Sequence, residues 1–343
     1  MPWPYTLIPN QIGRSDLDRH LCHRLVQEAR SLLRKTMGSV VSFYKFVSLT
    51  GLEEAKLRLL KNAEDLGIVG SILLAREGIN GTIAHGEKSV LEKFVSKLQQ
   101  DSRFSDLELK WSRSSSDTRV FHRLKVAVRR EIVNFGSQLE NVNDTGRHVD
   151  PHSWNQIVDD EDVLLIDTRN TYESEIGSFS RALKPDIKTF RDFTNYVKNN
   201  IDPSENPKVA LFCTGGIRCE KASAWMLNAG FEDVAQLEGG IINYLDNVSE
   251  SDSRWTGECF VFDQRVTVTA NLEQGSYKQC HACRRPISID DMQSPQYRKG
   301  ISCPKCFEEK TQEQRNRYEE RARQEALAEA RGTKHIGKKQ SPS

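Results

Sequence analysis

The sequence predicts a multidomain protein of mixed α/β and α+β class, and three observations along its 343 residues support this. Strand-like and helix-like segments follow a βαββαβ order over residues 38–135. Apolar strands alternate with helices over 146–250, which is typical of a mostly parallel sheet with helices on both faces. Apolar residues become sparse in 251–307, where two Cys-x-x-Cys pairs predict a small metal-binding module.

The composition excludes several classes of protein. Hydrophobic residues make up 37% and charged residues 28%, and no apolar run approaches the roughly 20 residues of a membrane span. The first residues lack the basic and apolar regions of a secretory signal. We therefore expect a cytoplasmic protein without a membrane partner, whose eight cysteines are reduced, metal-bound or catalytic.

The formal net charge of +1 hides a strong asymmetry. Residues 150–262 contain 20 acidic and 10 basic residues, whereas 110–130 contain one acidic and seven basic residues. The segment 278–343 contains nine acidic and 15 basic residues. Basic flanks suit a polyanion such as RNA, but ordinary solvated charge explains the same counts equally well.

The first domain follows an N-terminal extension, 1–37, in which leucines suggest a short amphipathic helix. The spacing then predicts strands over 40–46, 71–75, 82–84 and 124–128, and helices over 53–66 and 89–98. A glycine-punctuated hairpin over 77–81 joins the two central strands. This order is the pattern of a ferredoxin-like, or acylphosphatase-like, fold.

In the second domain, the carboxyl ends of three predicted strands carry the notable residues. The strand over 163–166 ends in Asp167 and Arg169, and the strand over 234–237 precedes Gly239 and Gly240. The strand over 209–212 leads into Cys213, and a helix is predicted over 220–228. Because parallel strands end at one edge of their sheet, we expect these residues to meet there.

The loop after the strand over 209–212 contains a cysteine, two glycines and an arginine, in the order Cys213, Thr214, Gly215, Gly216, Ile217 and Arg218. A cysteine before a helix N-terminus lies among free N–H groups and near the positive end of the helix dipole, which favours the thiolate. Arg218 adds a fixed positive charge. A glycine-rich turn with a buried structural cysteine is the alternative.

The size of the loop separates its possible chemistries. Four residues lie between Cys213 and Arg218, so the ring is tight and suits a small adduct such as a persulfide. One more residue would suit phosphate, which makes phosphatase activity the weaker option. The neighbouring Cys219 is interpreted as a core residue rather than a resolving thiol.

The second set of cysteines has the spacing of a four-thiolate zinc site and comprises Cys280, Cys283, Cys303 and Cys306. A closed four-sulfur shell leaves no position for substrate, so its predicted role is structural. A redox dithiol and unliganded thiols remain alternatives. A charged helix and a basic tail are predicted over 308–343.

Several motifs together resemble a known family. The loop FCTGGIRCEK over 212–221 looks like the active loop of a rhodanese domain, as do the residues around Asp167 and Gly239. The motifs INGTI over 79–83, GECFVFD over 257–263 and CHACRRP over 280–286 resemble the oxygen-dependent tRNA uridine hydroxylases. The resemblance extends from about residue 40 to the charged helix.

This resemblance implies hydroxylation of C5 of the wobble uridine of tRNA to 5-hydroxyuridine, with molecular oxygen as co-substrate and no DNA partner. It makes Cys213 the essential cysteine, described in the family as a persulfide-type intermediate, and makes Arg218 and the loop amides its anion cradle. Asp167 and Arg169 support the loop. The candidates for binding tRNA phosphates are basic residues of the first domain, namely Arg119, Arg123, Lys125, Arg129 and Arg130.

The residues leave the mechanism open. No flavin, haem or nicotinamide motif is visible, and no spacing indicates a non-haem iron triad. Cys213 either adds to C6 of uridine or carries an activated sulfur or oxygen species. Two other functions stay open: a rhodanese-type sulfurtransferase, and a non-catalytic RNA-binding or regulatory protein that would tolerate Cys213→Ser.

Overall fold

The structure is a computed structural model that describes residues 38–114, 120–136 and 144–332. The predicted extension over 1–37, the candidate Arg119 and the tail beyond residue 332 lie outside the described residues. The described residues belong to one compact unit by backbone contacts. None of the described helices is both long and apolar enough to cross a bilayer.

The first domain is a five-stranded sheet in the order β4-β1-β3-β2-β5, next to two helices. Its strands are β1 (Gly38–Phe46), β2 (Val69–Ala75), β3 (Gly78–His85), β4 (Leu109–Ser114) and β5 (Leu124–Val128). Its helices are α1 (Leu52–Asp65) and α2 (Lys88–Gln99). The first four strands pair antiparallel in the ferredoxin-like order, which confirms the predicted fold.

Three details of this domain differ from the prediction. The fourth ferredoxin-like strand is β4, which the sequence prediction did not include although its Leu109 and Trp111 alternate with polar residues. The strand predicted as the last one, β5, is a fifth strand parallel to β2. The hairpin is also tighter than predicted. Gly78 already belongs to β3, with φ 146°, and a Cβ there would lie 2.0 Å from the Lys45 carbonyl oxygen.

The second domain contains a parallel sheet in the order β6-β10-β9-β7, with a separate strand pair β8–β11. Its strands are β6 (Arg147–Val149), β7 (Leu164–Asp167), β8 (Gly177–Phe179), β9 (Lys208–Phe212), β10 (Asp233–Leu237) and β11 (Trp255–Gly257). Its helices are α3 (Pro151–Asp159), α4 (Thr171–Ser174), α5 (Phe193–Asn200), α6 (Ile217–Asn228) and α7 (Gly240–Asn247). Two buried clusters, one around Trp154 and one around Phe193, form its core.

The C-terminal region consists of short strand pairs and two helices. The strands are β12 (Cys259–Phe260), β13 (Thr267–Val268), β14 (Lys278–Gln279) and β15 (Pro286–Ile287), and the helices are α8 (Ile289–Gln293) and α9 (Gln312–Ala330). Helix α9 contacts the cysteine-bearing segment through Arg321, whose Nη2 donates to the carbonyls of His281 and Gly300 at 3.0 and 2.8 Å.

Polar contacts connect the first domain to the later ones. Lys221 in α6 donates from Nζ to Glu131 at 2.8 Å and forms an ion pair with Glu77 at 2.9 Å. Arg265 donates from Nη1 to the Ser112 hydroxyl and the Arg113 carbonyl, both at 2.9 Å. The sheet of the first domain is thereby held against α6, the helix that follows the cysteine loop.

Candidate active site

Cys213 lies at the carboxyl end of β9, and its side chain is fully buried. The N–H of Gly216 donates to Cys213 Sγ at 3.1 Å, and the backbone N–H groups of Arg218 and Cys219, in the first turn after it, act to lower the pKa of this sulfur. Helix α6 begins at Ile217, three residues earlier than predicted, because Gly216, with φ 92°, serves as its N-cap. The loop predicted from the sequence therefore surrounds one sulfur with backbone donors.

These donors govern the ionisation of the cysteine. Burial by itself would raise the pKa of Cys213, but a hydrogen bond from the Cys219 thiol, the Arg218 charge and the backbone N–H groups together lower it to about 5. Burial and the neighbouring Cys213 sulfur raise the pKa of Cys219 well above its usual value. Cys213 is thus the thiolate of the pair, and Cys219 is a thiol that donates to it.

The glycine pair after β10 closes the other side of the loop. Gly240 has φ 70°, and a Cβ on it would lie 2.5 Å from the Cys213 carbonyl oxygen and 2.6 Å from the Gly216 nitrogen. The N–H of Ile241 donates to the Cys213 carbonyl at 2.9 Å. Any side chain at position 240 would push the loop apart, which is the physical reason for glycine there.

The positive charge of Arg218 is paired with a buried carboxylate. Its guanidinium forms two hydrogen bonds to Glu173, at 2.8 and 2.7 Å, and a longer one to the Thr214 hydroxyl at 3.4 Å. Glu173 is fully buried, and the sequence reading did not identify it. Its carboxylate balances part of the arginine charge, and the Arg218 charge and the backbone N–H groups together favour the Cys213 thiolate.

Asp167 and Arg169 form a buried ion pair beneath the loop, with Nε and Nη2 of the arginine 2.8 and 2.6 Å from the carboxylate. Arg169 also donates to the carbonyls of Glu173 and Gly177, at 3.3 and 2.6 Å. The pair therefore fixes α4, the element that carries Glu173. Asp167 and Arg169 thus position Glu173, the residue that pairs with Arg218, and neither of them forms a hydrogen bond to Cys213 among the described residues.

The first domain contributes two residues that the sequence reading missed. The Tyr44 hydroxyl of β1 donates to Glu220 at 2.9 Å, and a Cβ on Gly216 would lie 2.8 Å from this hydroxyl. Lys110 of β4 places its ammonium 4.5 Å from the centroid of the Tyr44 ring. His148 hydrogen-bonds to the same Glu220 carboxylate at 3.1 Å. No local motif reports these contacts, because they form between segments far apart in sequence.

One aromatic residue stands exposed beside the loop. Phe262 has 64% of its surface exposed, the largest fraction for any aromatic residue in the described parts of the chain. Its ring centroid lies 5.8 Å from the Arg218 guanidinium and 5.2 Å from the Phe260 ring. The Phe260 carbonyl in turn accepts a hydrogen bond from Thr214 at 3.4 Å. This flat apolar surface is suited to stacking against a planar ligand.

The predicted phosphate-binding residues Arg123, Lys125, Arg129 and Arg130 are exposed. They lie next to or within β5, at the sheet edge opposite β4, and none forms an ion pair with another described residue. Their charges are therefore available to solvent, on a different strand from the one that carries Lys110.

The four predicted metal ligands converge. The sulfur atoms of Cys280, Cys283, Cys303 and Cys306 all lie within 4.8 Å of one another. Two of the separations are 3.8 Å for Cys283–Cys303 and 3.7 Å for Cys303–Cys306. A tetrahedral zinc site with Zn–S bonds of about 2.3 Å requires S···S distances of about 3.8 Å. The residues present thus fit a metal ion such as Zn²⁺.

Comparison with protein families identifies both large domains. Residues 38–132 match the UPF0176 acylphosphatase-like domain, and residues 150–247 match the rhodanese-like domain. The second match makes this a rhodanese-domain protein, a class that carries out sulfur or redox chemistry. The two domains in this order are the architecture of the tRNA uridine hydroxylase family, which confirms the resemblance given by the motifs.

Several solved structures are similar to about a third of this chain or less. A rhodanese-like domain from Anabaena sp. is 17% identical, with a TM-score of 0.27, and the match covers 32% of this chain and 78% of that chain. A rhodanese-related protein from Thermoplasma volcanium is 19% identical, covering 29% and 91%, with a TM-score of 0.24. A Rhodopseudomonas palustris protein described as a possible tyrosine phosphatase is 20% identical, covering 31% and 85%, with a TM-score of 0.26.

Proposed function

We propose that this protein hydroxylates C5 of the wobble uridine of tRNA, using molecular oxygen and Cys213 as the essential cysteine. The observation that carries the proposal is the Cys213 thiolate, held by backbone N–H groups where the UPF0176 domain meets the rhodanese-like domain. A sulfurtransferase needs the second of these domains only. The first domain adds basic residues and two side chains at the loop, which is consistent with a larger substrate.

The cradle suits two forms of Cys213. As a thiolate it would add to C6 of uracil, so that the S–C6 bond forms and the C5=C6 π electrons move toward C5 and O4, which makes C5 electron-rich. As a persulfide it would hold its terminal sulfur among the same N–H donors. Either form places the reactive sulfur at the start of α6. Molecular oxygen is the proposed source of the new hydroxyl group, and its second atom would leave as water after taking up two electrons and two protons from an external reductant.

Two surfaces support tRNA as the partner. The exposed Arg123, Lys125, Arg129 and Arg130 would bind phosphates, since they have no protein ion pairs among the described residues to break. Phe262 would stack against an unpaired anticodon base beside the cysteine loop. Single-stranded loops whose bases can splay out are the usual targets of specific RNA recognition, and the anticodon is such a loop.

Nucleoside mass spectrometry tests this function. The tRNA of a strain that lacks the gene, and any redundant pathway, should contain no 5-hydroxyuridine, and the wild-type gene should restore it. Cys213→Ser should restore less than about one-hundredth of the wild-type level, as expected for loss of a catalytic nucleophile. If the modification persists in the deletion strain, the hydroxylase function is wrong. If Cys213→Ser restores it fully, the role of the cysteine is wrong.

Sulfur transfer is the second candidate, because a persulfide sulfur fits the N–H cradle of Cys213. The purified protein with thiosulfate and cyanide would then form thiocyanate in a Cys213-dependent reaction. Robust turnover without any effect on tRNA would favour this candidate over hydroxylation.

We also propose that Cys280, Cys283, Cys303 and Cys306 hold a structural zinc ion. Metal analysis of the purified protein should give about one zinc per chain, and a value well below that would exclude the proposal.

A further inference from the structure

The ammonium of Lys110 is an unusual group in this structure. Its side chain is only 8% exposed, and its Nζ atom makes no hydrogen bond to any described residue. The nearest carboxylate oxygen, on the exposed Glu108, lies 3.9 Å away, which is beyond hydrogen-bond distance. A lysine ammonium has three N–H donors, and here all three lack a partner among the described groups.

The surroundings of this ammonium belong to the cysteine site. The ammonium lies 4.5 Å from the centroid of the Tyr44 ring, and the Tyr44 hydroxyl lies against Gly216, whose N–H donates to the Cys213 sulfur. Burial lowers the pKa of Lys110, whereas the negative charges of Glu108, Cys213 and Glu220, among others, act to raise it. The cation therefore lies within the electrostatic field of the thiolate, on the side formed by the first domain.

Burying such an ammonium lowers the stability of the protein, which suggests that it serves a function. Removing an ammonium from water without hydrogen bonds costs several kcal/mol, and a hydrophobic side chain of the same size would pack there at lower cost. A cation–π contact with one tyrosine offsets only part of this cost. These N–H donors have no partner among the described residues and lie near a reactive thiolate. They could therefore bind an acceptor oxygen of a ligand.

We propose that Lys110 is a substrate-binding residue of the Cys213 site, whose ammonium donates a hydrogen bond to a carbonyl oxygen of the target pyrimidine. This inference rests on the proposed hydroxylase function. When the Cys213 thiolate adds to C6, the S–C6 bond forms, the C5=C6 π bond breaks, and its electron pair becomes an enolate shared by C5 and O4. A donor preorganised at that oxygen stabilises the developing charge. The first domain thus completes the catalytic centre in addition to binding RNA.

The test compares Lys110→Met with wild type, using the purified full chain, unmodified tRNA and oxygen. Loss of one oxyanion donor should slow single-turnover formation of 5-hydroxyuridine about 100-fold. The Kd for tRNA should change by less than about threefold, because the phosphates are bound elsewhere. The melting temperature should not fall, since methionine replaces a buried ammonium that makes no hydrogen bond to the described residues. Lys61→Met, at an exposed lysine of α1, is the matched control and should behave as wild type.

A second variant keeps the inference falsifiable. Lys110→Arg retains N–H donors and should retain more activity than Lys110→Met. Wild-type rates in Lys110→Met would overturn the inference while leaving the proposed function intact. A rate loss that is matched by a lower melting temperature, and not relieved in Lys110→Arg, would show a structural role and also overturn it. Absence of product with the wild-type protein would instead overturn the proposed function, and this inference with it.

Discussion

The cysteine loop and the four-cysteine cluster use the same side chain in opposite ways. At Cys213 a single sulfur lies among backbone N–H groups, and the neighbouring Cys219 keeps its proton. In the C-terminal cluster four sulfurs approach one another to within 4.8 Å, which is favourable only if a cation lies between them. The surroundings of a cysteine therefore decide whether its thiolate is reactive or committed to a metal.

The two regions also differ in what holds them together. The cysteine loop rests on a large aromatic and aliphatic core, and the buried cluster that contains Cys213 includes Phe190, Phe193 and Leu211. The core of the four-cysteine cluster consists of Ile287, three of the cysteines and a few partly buried neighbours. The loop should keep its shape without its sulfur, whereas the cluster should lose its shape without its metal. The following changes test this contrast.

Metal removal should have the largest effect. In Cys303→Ser, or after treatment with a strong chelator, we expect residues 278–306 to lose hydrogen-exchange protection, because structural zinc contributes about 10–16 kcal/mol to small zinc-finger peptides. Protection in the parallel sheet should remain. The control is Cys213→Ser, which should keep both its metal content and its protection. A cluster that stays protected when free of metal would contradict this contrast.

Glu173→Gln should have the next largest effect. It leaves the buried Arg218 guanidinium without its carboxylate, and breaking such a pair costs about 3–5 kcal/mol. Urea unfolding monitored by circular dichroism should show this loss in the free energy of unfolding. The double variant Glu173→Gln with Arg218→Gln should recover part of it, since no unpaired charge remains. Equal stability of wild type and Glu173→Gln would show that the pair does not hold the loop.

The ionisation of Cys213 should separate it from an ordinary thiol. Its pKa of about 5 predicts that thiolate absorbance near 240 nm, taken as wild type minus Cys213→Ser, rises between about pH 4 and pH 6. The folded pKa is lower than the unfolded value of about 8.5, so the linked stability is fully present above that value and is lost as the pH falls through about 5. A titration midpoint at about pH 8.5 would show that the loop does not stabilise the Cys213 thiolate.

Phe262→Ala should have the smallest effect. A stacked base is worth about 1–3 kcal/mol, so the Kd for an anticodon stem-loop should rise by about 5- to 150-fold. The matched control is Leu57→Ala on α1, because Leu57 has the same exposed fraction of 64%. Equal affinities for the two variants would show that Phe262 does not contact RNA.

Features that lie in one continuous stretch of sequence were predicted, whereas residues that reach the site from distant segments were missed. The Cys213 loop, the Gly239-Gly240 pair and the four-cysteine spacing were visible because each lies in a continuous motif. Glu173, Tyr44 and Lys110 were not, because they reach the site from other elements and only the tertiary fold brings them there. Strand β4 was also missed, although the alternation of Leu109 and Trp111 with polar residues is the pattern of a half-buried strand.

The central claim is that the Cys213 site inserts oxygen into uridine, and isotope incorporation tests it most directly. Purified protein would be incubated with unmodified tRNA under ¹⁸O₂, and the nucleosides would be analysed by mass spectrometry. The claim predicts 5-hydroxyuridine carrying ¹⁸O with the wild-type protein and none with Cys213→Ser. Product that carries oxygen from water, or equal labelling by both proteins, would contradict it.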